Sequence, residues 1–312
     1  MGSINNIVIA GAGTMGISLV QIFAKYDYKV TLYNRATPSL KKAKKQIVFS
    51  QENLVSTGMA TEEESKRVIK KIKYTTDKNV FKDCDFVVET IVENMDVKHT
   101  FWNEISSIAK EDAVLTSNTS GLSITELAKA VKKPERFAGM HFWNPPHLVP
   151  LVEIIKGKKT TDETADIIYK LAEDIDKKPV VLQKEINGFI GNRLQFAVLR
   201  EAVNLVEAGV ASAEDVDKAV KYGIGFRYAC IGPFETTDLG GLNTFNNIAK
   251  YLLPQLSNAE SMPILEKKVE KGQLGVKSGQ GFYDYKNGKD KEAIDSRDEK
   301  FIKLYKTFYQ KG

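Results

Sequence analysis

Six residues near the start of the chain constrain its fold more than any others. Gly11-Ala12-Gly13-Thr14-Met15-Gly16 directly follows the apolar run Ile7-Val8-Ile9-Ala10 and opens a helical pattern over Gly16–Tyr26. Placed between a strand and a helix, such a loop points to a βαβ unit that binds a dinucleotide. The first glycine permits a tight turn, the second lets backbone approach a pyrophosphate, and the third lets helix pack on strand. The amide-rich helix N-terminus then faces the anion. Cofactor contacts are expected at Gly11, Gly13, Thr14, Met15 and Gly16. An acidic residue commonly ends the second strand of such a unit and grips the ribose hydroxyls. Here the residues are Tyr33-Asn34-Arg35-Ala36-Thr37, without a carboxylate. Asn34 can hydrogen-bond a ribose, and Arg35 offers a planar cation matched to a 2′-phosphate. The expected cofactor is NADP or NAD, with NADP slightly favoured.

Strand-like and helix-like patterns alternate beyond this loop. Ile7–Ala10, Val30–Tyr33, Phe86–Glu89, Ala113–Thr116, Phe137–His141, Val152–Ile155 and Lys178–Leu182 have strand length. Amphipathic stretches at Gly16–Tyr26, Lys41–Asn53, Lys98–Lys110 and Thr161–Ile175 lie between them. That alternation predicts an α/β fold, a Rossmann-type doubly wound parallel sheet with helices on its faces. From Gly188 the pattern turns helical: Phe189–Ala208, Ser212–Lys221, Phe234–Leu253 and a segment around Ile264–Lys271, with the charged stretch Lys286–Gly312 as a terminal helix. Two domains are expected, 1–185 binding the dinucleotide and 186–312 all-α, a division that 312 residues accommodate.

The net charge of +5 is too mild and dispersed for a nucleic-acid partner, but suits a small acidic or phosphorylated ligand. No apolar run reaches membrane-spanning length, and no charged leader precedes the first strand. The two cysteines, Cys84 and Cys230, cannot build a disulfide framework or a four-cysteine zinc site. They are read as ordinary small residues in a cytoplasmic enzyme with a small-molecule substrate.

Three histidines carry the remaining chemistry. His99 sits in a polar helical segment and reads as a solvated helix face. His147 lies on a loop. His141 ends a strand, and the carboxyl ends of strands are where ligands bind in such sheets. Twelve residues on, Glu153 interrupts the apolar run Leu151-Val152-Glu153-Ile154-Ile155. A carboxylate among aliphatics is costly unless partnered, and a nearby imidazole would suit it. Too few ligands cluster here for a metal, and Ser120 lies in no nucleophile elbow.

The chain resembles the 3-hydroxyacyl-CoA dehydrogenase family, including its lambda-crystallin or L-gulonate 3-dehydrogenase branch. The resemblance rests on Gly11–Gly16, Val87-Val88-Glu89, Val92-Glu93-Asn94, Ser117–Ser120, His141–Asn144, Leu151–Glu153, Gly188–Arg193, Gly232–Glu235 and Leu274–Tyr283, in order along the chain. It implies that His141 is the general base and Glu153 the carboxylate that orients it. It also implies that Ser120 and Asn192 position the reacting hydroxyl. The family's cofactor contacts fall on Glu93, Lys98, Asn144 and Lys277, and its helical domain forms a homodimer.

Departures bear on the substrate. The family's acyl-CoA members carry lysines after the second strand that meet CoA phosphates; here Ser50–Gly58 has none, although Lys41, Lys42, Lys44 and Lys45 lie upstream. Asn144–Pro150 looks more like the gulonate branch. Arg227 could hold a free carboxylate bidentately or form a salt bridge instead. The expected activity is hydride transfer between the dinucleotide and the 3-position of a short L-3-hydroxyacyl compound of the 3-hydroxybutyryl-CoA type. A free 3-hydroxy acid of the gulonate or carnitine type is the alternative, and a non-catalytic, crystallin-like protein the third reading.

Overall fold

Short apolar runs alternating with amphipathic stretches do build a βαβ sheet in the computed structural model, which describes residues 4–309. The chain divides into two compact units, the first ending at Ile190 and the second covering Gly191–Phe308. The first begins with β1 (Asn6–Ala10), α1 (Thr14–Lys25), β2 (Lys29–Tyr33), α2 (Thr37–Ser56), α3 (Glu62–Lys71) and β3 (Ile72–Thr75). It continues with β4 (Phe86–Glu89), α4 (Met95–Ile108), β5 (Val114–Ser117), the short α5 (Ile124–Leu127) and β6 (Phe137–Phe142). It closes with β7 (Leu151–Ile155), α6 (Asp162–Asp174) and β8 (Lys178–Leu182).

These strands form one eight-stranded sheet in the order β3-β2-β1-β4-β5-β6-β7-β8. The order reverses between β1 and β4, the switch point at which such sheets take a ligand. Strands β4, β5 and β6 are buried along their whole length, as a sheet covered on both faces requires. One core cluster packs Ile7, Ile9, Phe23, Leu32 and Ile154, and a second packs Val8, Phe81, Val87, Trp102 and Phe137.

Two features correct the sequence reading. First, α3 and β3 were not expected. Ile72-Lys73-Tyr74-Thr75 reads as polar because it is an edge strand, with only Ile72 buried. The signal for α3 is nonetheless present as a capping box, with Thr61 accepting from Glu64 N–H while the Glu64 side chain accepts from Thr61 N–H. Second, the sheet is not wholly parallel, because β6 and β7 are antiparallel. The connection between Phe142 and Leu151 is too short for a crossover helix, so the chain must double back.

The second unit holds α7 (Gly191–Glu207), α8 (Ala213–Ala219), α9 (Gly225–Tyr228), α10 (Pro233–Gly240), α11 (Leu242–Leu252), α12 (Pro263–Glu270) and α13 (Lys289–Phe308). The expected single helix Phe234–Leu253 is broken at Gly241, whose φ of +90° no helical residue adopts. The terminal helix begins at Lys289, after Asn287 and Gly288 with positive φ, and the last residues of its expected range lie outside those described. No described helix is long and apolar enough to cross a membrane.

Close approach at the first loop depends on glycine. Gly11 has φ +121°, and Thr90 Oγ1 donates to Gly11 O at 3.1 Å. A Cβ on Gly16 would stand 1.8 Å from Gly11 O, against backbone that cannot yield. Gly16→Ala should therefore push α1 off β1 and lower stability by about 1–3 kcal/mol, the usual cost of overpacking. Thermal unfolding reads this directly, and an unchanged melting temperature would contradict it.

Candidate active site

Reversal at β6–β7 sets His141 directly opposite Glu153 in the register. Opposed residues on an antiparallel pair share a face with Cβ atoms about 5 Å apart, close enough for direct contact. His141 Nδ1 lies 2.8 Å from Glu153 Oε2. An ionised carboxylate only accepts, so Nδ1 carries the proton and donates it, leaving Nε2 as the basic nitrogen. Glu153 is fully buried and His141 is 6% exposed. The buried charge is met by two further donors: Ile190 N–H at 2.9 Å from Oε1 and Trp143 Nε1 at 3.1 Å from Oε2. The ring of Phe189, at φ +54°, packs 5.5 Å from the imidazole. A non-glycine residue there is strained by roughly 1–2 kcal/mol, and the turn it makes leads directly to the Ile190 N–H that reaches Glu153.

A second buried carboxylate organises the ends of β4 and β5. Glu89 is fully buried, with Oε1 accepting from Lys98 Nζ at 2.5 Å and Ile91 N–H at 2.8 Å, and Oε2 accepting from Ser117 Oγ at 2.6 Å. Burial pushes its carboxyl up, while Lys98, Ser117 and the Ile91 N–H draw it back. Lys98 is 1% exposed and also reaches Glu93 Oε2 at 3.3 Å. Glu93 Oε1 accepts from the Thr119 hydroxyl and from Ser120 N–H at 3.0 Å, with Ser120 Oγ at 3.4 Å. Burial works against the Glu93 charge, but Thr119, Lys98 and the Ser120 N–H outweigh it and hold the carboxyl below its usual range. Asn118 Oδ1 accepts from Phe142 N–H at 2.8 Å, tying the end of β5 to the strand end that carries His141.

His99 departs from expectation. It is half-buried, and its Nε2 donates to Glu126 O at 2.9 Å, so it anchors α4 to α5 rather than facing solvent. At the end of β2, Asn34 Oδ1 accepts from Ala36 N–H at 2.9 Å, and Arg35 is exposed. The amide of Asn34 is thus partly committed to its own turn. Around Gly13 a dinucleotide fits: a Cβ there would meet nothing within 4 Å, and the N-terminal turn of α1 has no side-chain cap. Those amides suit a pyrophosphate. Gly11, Thr14, Met15 and Gly16 complete the loop, and Asn144 is exposed just beyond β6.

In the second unit, Asn192 sits half-buried on the first turn of α7, Arg227 is exposed on α9, and Lys277 is exposed on a one-turn segment at Val276–Ser278.

Sequence reasoning missed Glu89, Thr119, Trp143 and Lys177. A carboxylate ending the apolar run Phe86-Val87-Val88-Glu89 is the kind of signal that singled out Glu153, and it could have found Glu89. Nothing marked Lys177, which belongs to a pair of adjacent lysines yet is 5% exposed. Its Nζ donates to Pro146 O at 2.5 Å and Val149 O at 3.1 Å, holding the loop that bears Asn144 and His147.

The fold has counterparts among known proteins. Residues 6–186 match the 3-hydroxyacyl-CoA dehydrogenase NAD binding domain, and residues 188–285 match the C-terminal domain of the same family. The chain is 38% identical over 279 residues to a probable 3-hydroxybutyryl-CoA dehydrogenase of Deinococcus radiodurans, covering 89% of this chain and 99% of the relative. It is 34% identical over 301 residues to 5-formyl-3-hydroxy-2-methylpyridine 4-carboxylate 5-dehydrogenase of Mesorhizobium japonicum, covering 96% of each. A solved structure of an enzyme of that kind, described as an NAD+ dependent dismutase, superposes with a TM-score of 0.90 at 33% identity, covering 99% of this chain and 100% of that one. An (S)-3-hydroxybutyryl-CoA dehydrogenase from Ralstonia eutropha superposes with a TM-score of 0.76 at 31% identity, covering 91% and 100%.

Lys177 yields a stability prediction. Burial, then the nearby Lys25, push its ammonium down to about 8 from lysine's ordinary 10.5. The cost of the buried charge is full below about pH 8 and is relieved as pH rises toward 10.5, so this group's contribution to stability grows through that window. Lys177→Met removes both hydrogen bonds to the loop and should cost about 1–3 kcal/mol. Denaturant unfolding between pH 7 and 10 should show wild type gaining on the variant as pH rises; a gap that narrows would overturn the assignment.

Proposed function

The chain belongs to the 3-hydroxyacyl-CoA dehydrogenase family, and from that premise we propose how its residues divide the work of an NAD-dependent oxidoreductase acting on a short L-3-hydroxyacyl compound. The observation that carries the reading is the buried His141–Glu153 contact, which leaves Nε2 of the imidazole as a base at a strand carboxyl end. A nicotinamide dinucleotide bound at the Gly11–Gly16 loop supplies the hydride acceptor in oxidation and the hydride donor in reduction. His141 takes the hydroxyl proton as the carbinol becomes a carbonyl, and returns it in the reverse direction. Glu153 stabilises the imidazolium that forms. Ser120 and Asn192 hydrogen-bond the reacting oxygen. Glu93, which holds Ser120 through its N–H and Oγ, contacts the cofactor together with Lys98, Asn144 and Lys277. Residues 1–185 serve as the dinucleotide-binding domain and 186–312 as the helical substrate and dimerisation domain.

Pairing is supported by apolar side chains left open on the helical unit: Phe234 is 85% exposed, Tyr222 79%, Leu239 78% and Phe226 70%. A monomer rarely leaves so much of this kind uncovered, and a second copy is the natural cover for it.

NAD is the cofactor of the matching domain family, and we propose that NADP is also taken and slightly preferred. Arg35 supports this, exposed beside a strand end without a carboxylate in Tyr33–Thr37. Arg35→Ala should weaken NADPH more than NADH in a fluorescence titration, because it removes a phosphate partner and no ribose partner. Equal loss for both would sink the NADP reading.

For the substrate, the family favours a 3-hydroxybutyryl-CoA thioester. A free carboxylate-bearing substrate is the second reading, favoured by the lysine-free stretch at Ser50–Gly58 and by the higher TM-score to an enzyme named for a pyridine carboxylate. In that reading Arg227 holds the carboxylate.

Steady-state rates with acetoacetyl-CoA, free acetoacetate and L-gulonate test the proposal. One of these should be reduced or oxidised with NAD(H) or NADP(H). His141→Gln should lower that turnover by roughly 10²–10⁴ while keeping dinucleotide affinity. A variant with near-wild-type turnover would rule His141 out as the base.

A further inference from the structure

The reaction itself asks for no indole beside Glu153, yet Trp143 places one there. Its Nε1 donates at 3.1 Å to Oε2, the same oxygen that accepts from His141 Nδ1 at 2.8 Å. The other oxygen is held separately, by Ile190 N–H at 2.9 Å. Trp143 lies two residues past His141 and is half-buried, and its ring is tilted 52° from the imidazole with centroids 6.2 Å apart. The two rings are not stacked, so the link between them runs through the shared carboxylate oxygen.

We propose that Trp143 is a positioning residue that sets the basicity of His141 by sharing the Glu153 oxygen with it, a role that rests on His141 being the general base.

Two donors on one carboxylate oxygen divide its charge. A hydrogen bond to an ionised group is strong where solvent is excluded, and Glu153 is fully buried. Charge engaged by the indole is withheld from the imidazolium. The indole also fixes the carboxylate plane. With Ile190 N–H on one oxygen and Trp143 on the other, Glu153 stays in place whether or not the imidazole is protonated. His141 on β6 and Glu153 on β7 are titratable groups that meet here. Strand β8 brings Val180 opposite Glu153, β5 brings Ser117 and Asn118 alongside β6, and the 189–190 segment brings an aromatic ring and a backbone N–H. Among these, Trp143 adds a donor that bears no charge and stays protonated throughout.

The test removes that N–H while keeping the ring. Trp143→Phe does so by ordinary substitution, and replacement of Trp143 with benzothienylalanine does so without loss of bicyclic volume. Rates of alcohol oxidation are measured against pH, and the titration of His141 is followed by NMR on protein labelled in its histidines. With the donor gone, the acid limb of the rate profile should move up by about 0.5–1 pH unit, and the His141 resonance should titrate higher by a similar amount in both variants. A limb and a titration that stay at wild-type positions in both variants, whatever the loss in plateau rate, would overturn the proposal and leave Trp143 a packing residue. A wild type with no dinucleotide-linked oxidation would instead count against the dehydrogenase reading, and the NMR titration, which needs no turnover, still decides the role of Trp143.

Discussion

The contact between His141 and Glu153 is the interaction on which the first unit's arrangement converges. Burying a carboxylate without solvent is costly unless its lone pairs are met by donors, and Glu153 is met by an imidazole, an indole and a backbone amide. Each comes from a different stretch of chain: the end of β6, the segment just beyond it and the turn that follows β8. Only an antiparallel pair puts residues 141 and 153 face to face, so the one reversal in an otherwise parallel sheet makes the dyad possible. Each of these donors offsets part of the cost of burying that charge.

Glu89 repeats the logic on β4, three strands from β7 in the sheet. A fully buried carboxylate at the end of β4 collects Lys98 from α4, Ser117 from β5 and the Ile91 amide. Lys98 then passes its remaining reach to Glu93, and Glu93 orders Thr119 and Ser120. Glu89 ends β4, on the edge that also carries the Gly11–Gly16 loop, and Glu153, the middle residue of β7, faces His141 near the end of β6. Buried charge is therefore gathered toward the edge where a polar ligand would bind. The His141 imidazole and the hydroxyl-bearing Ser120 are each held by a carboxylate of their own.

Much of this was legible in the residues. The glycine loop was readable because its three glycines meet separate steric demands, and at Gly16 a Cβ would stand 1.8 Å from Gly11 O. His141 and Glu153 were readable because a polar residue ending or interrupting an aliphatic run demands a partner. The antiparallel turn was not, since residues 143–150 carry no hairpin signal and strand direction depends on loop length more than on pattern. Edge strand β3 hid behind its lysine and tyrosine. Lys177 hid for a different reason: a lysine in a pair looks solvated in sequence, and only the carbonyls of Pro146 and Val149 make its burial tolerable. Trp143 hid because an indole in an aromatic run reads as packing, and its N–H matters only once Glu153 is known to face it.

The central claim is that a buried carboxylate fixes which nitrogen of His141 is the base. Nitrogen-15 NMR of histidine-labelled protein at neutral pH measures that directly. The account predicts a His141 ring protonated at Nδ1, with a strongly deshielded proton coupled to that nitrogen, and a bare Nε2. A neutral ring carrying its proton on Nε2, with Nδ1 unprotonated against Glu153, would contradict it.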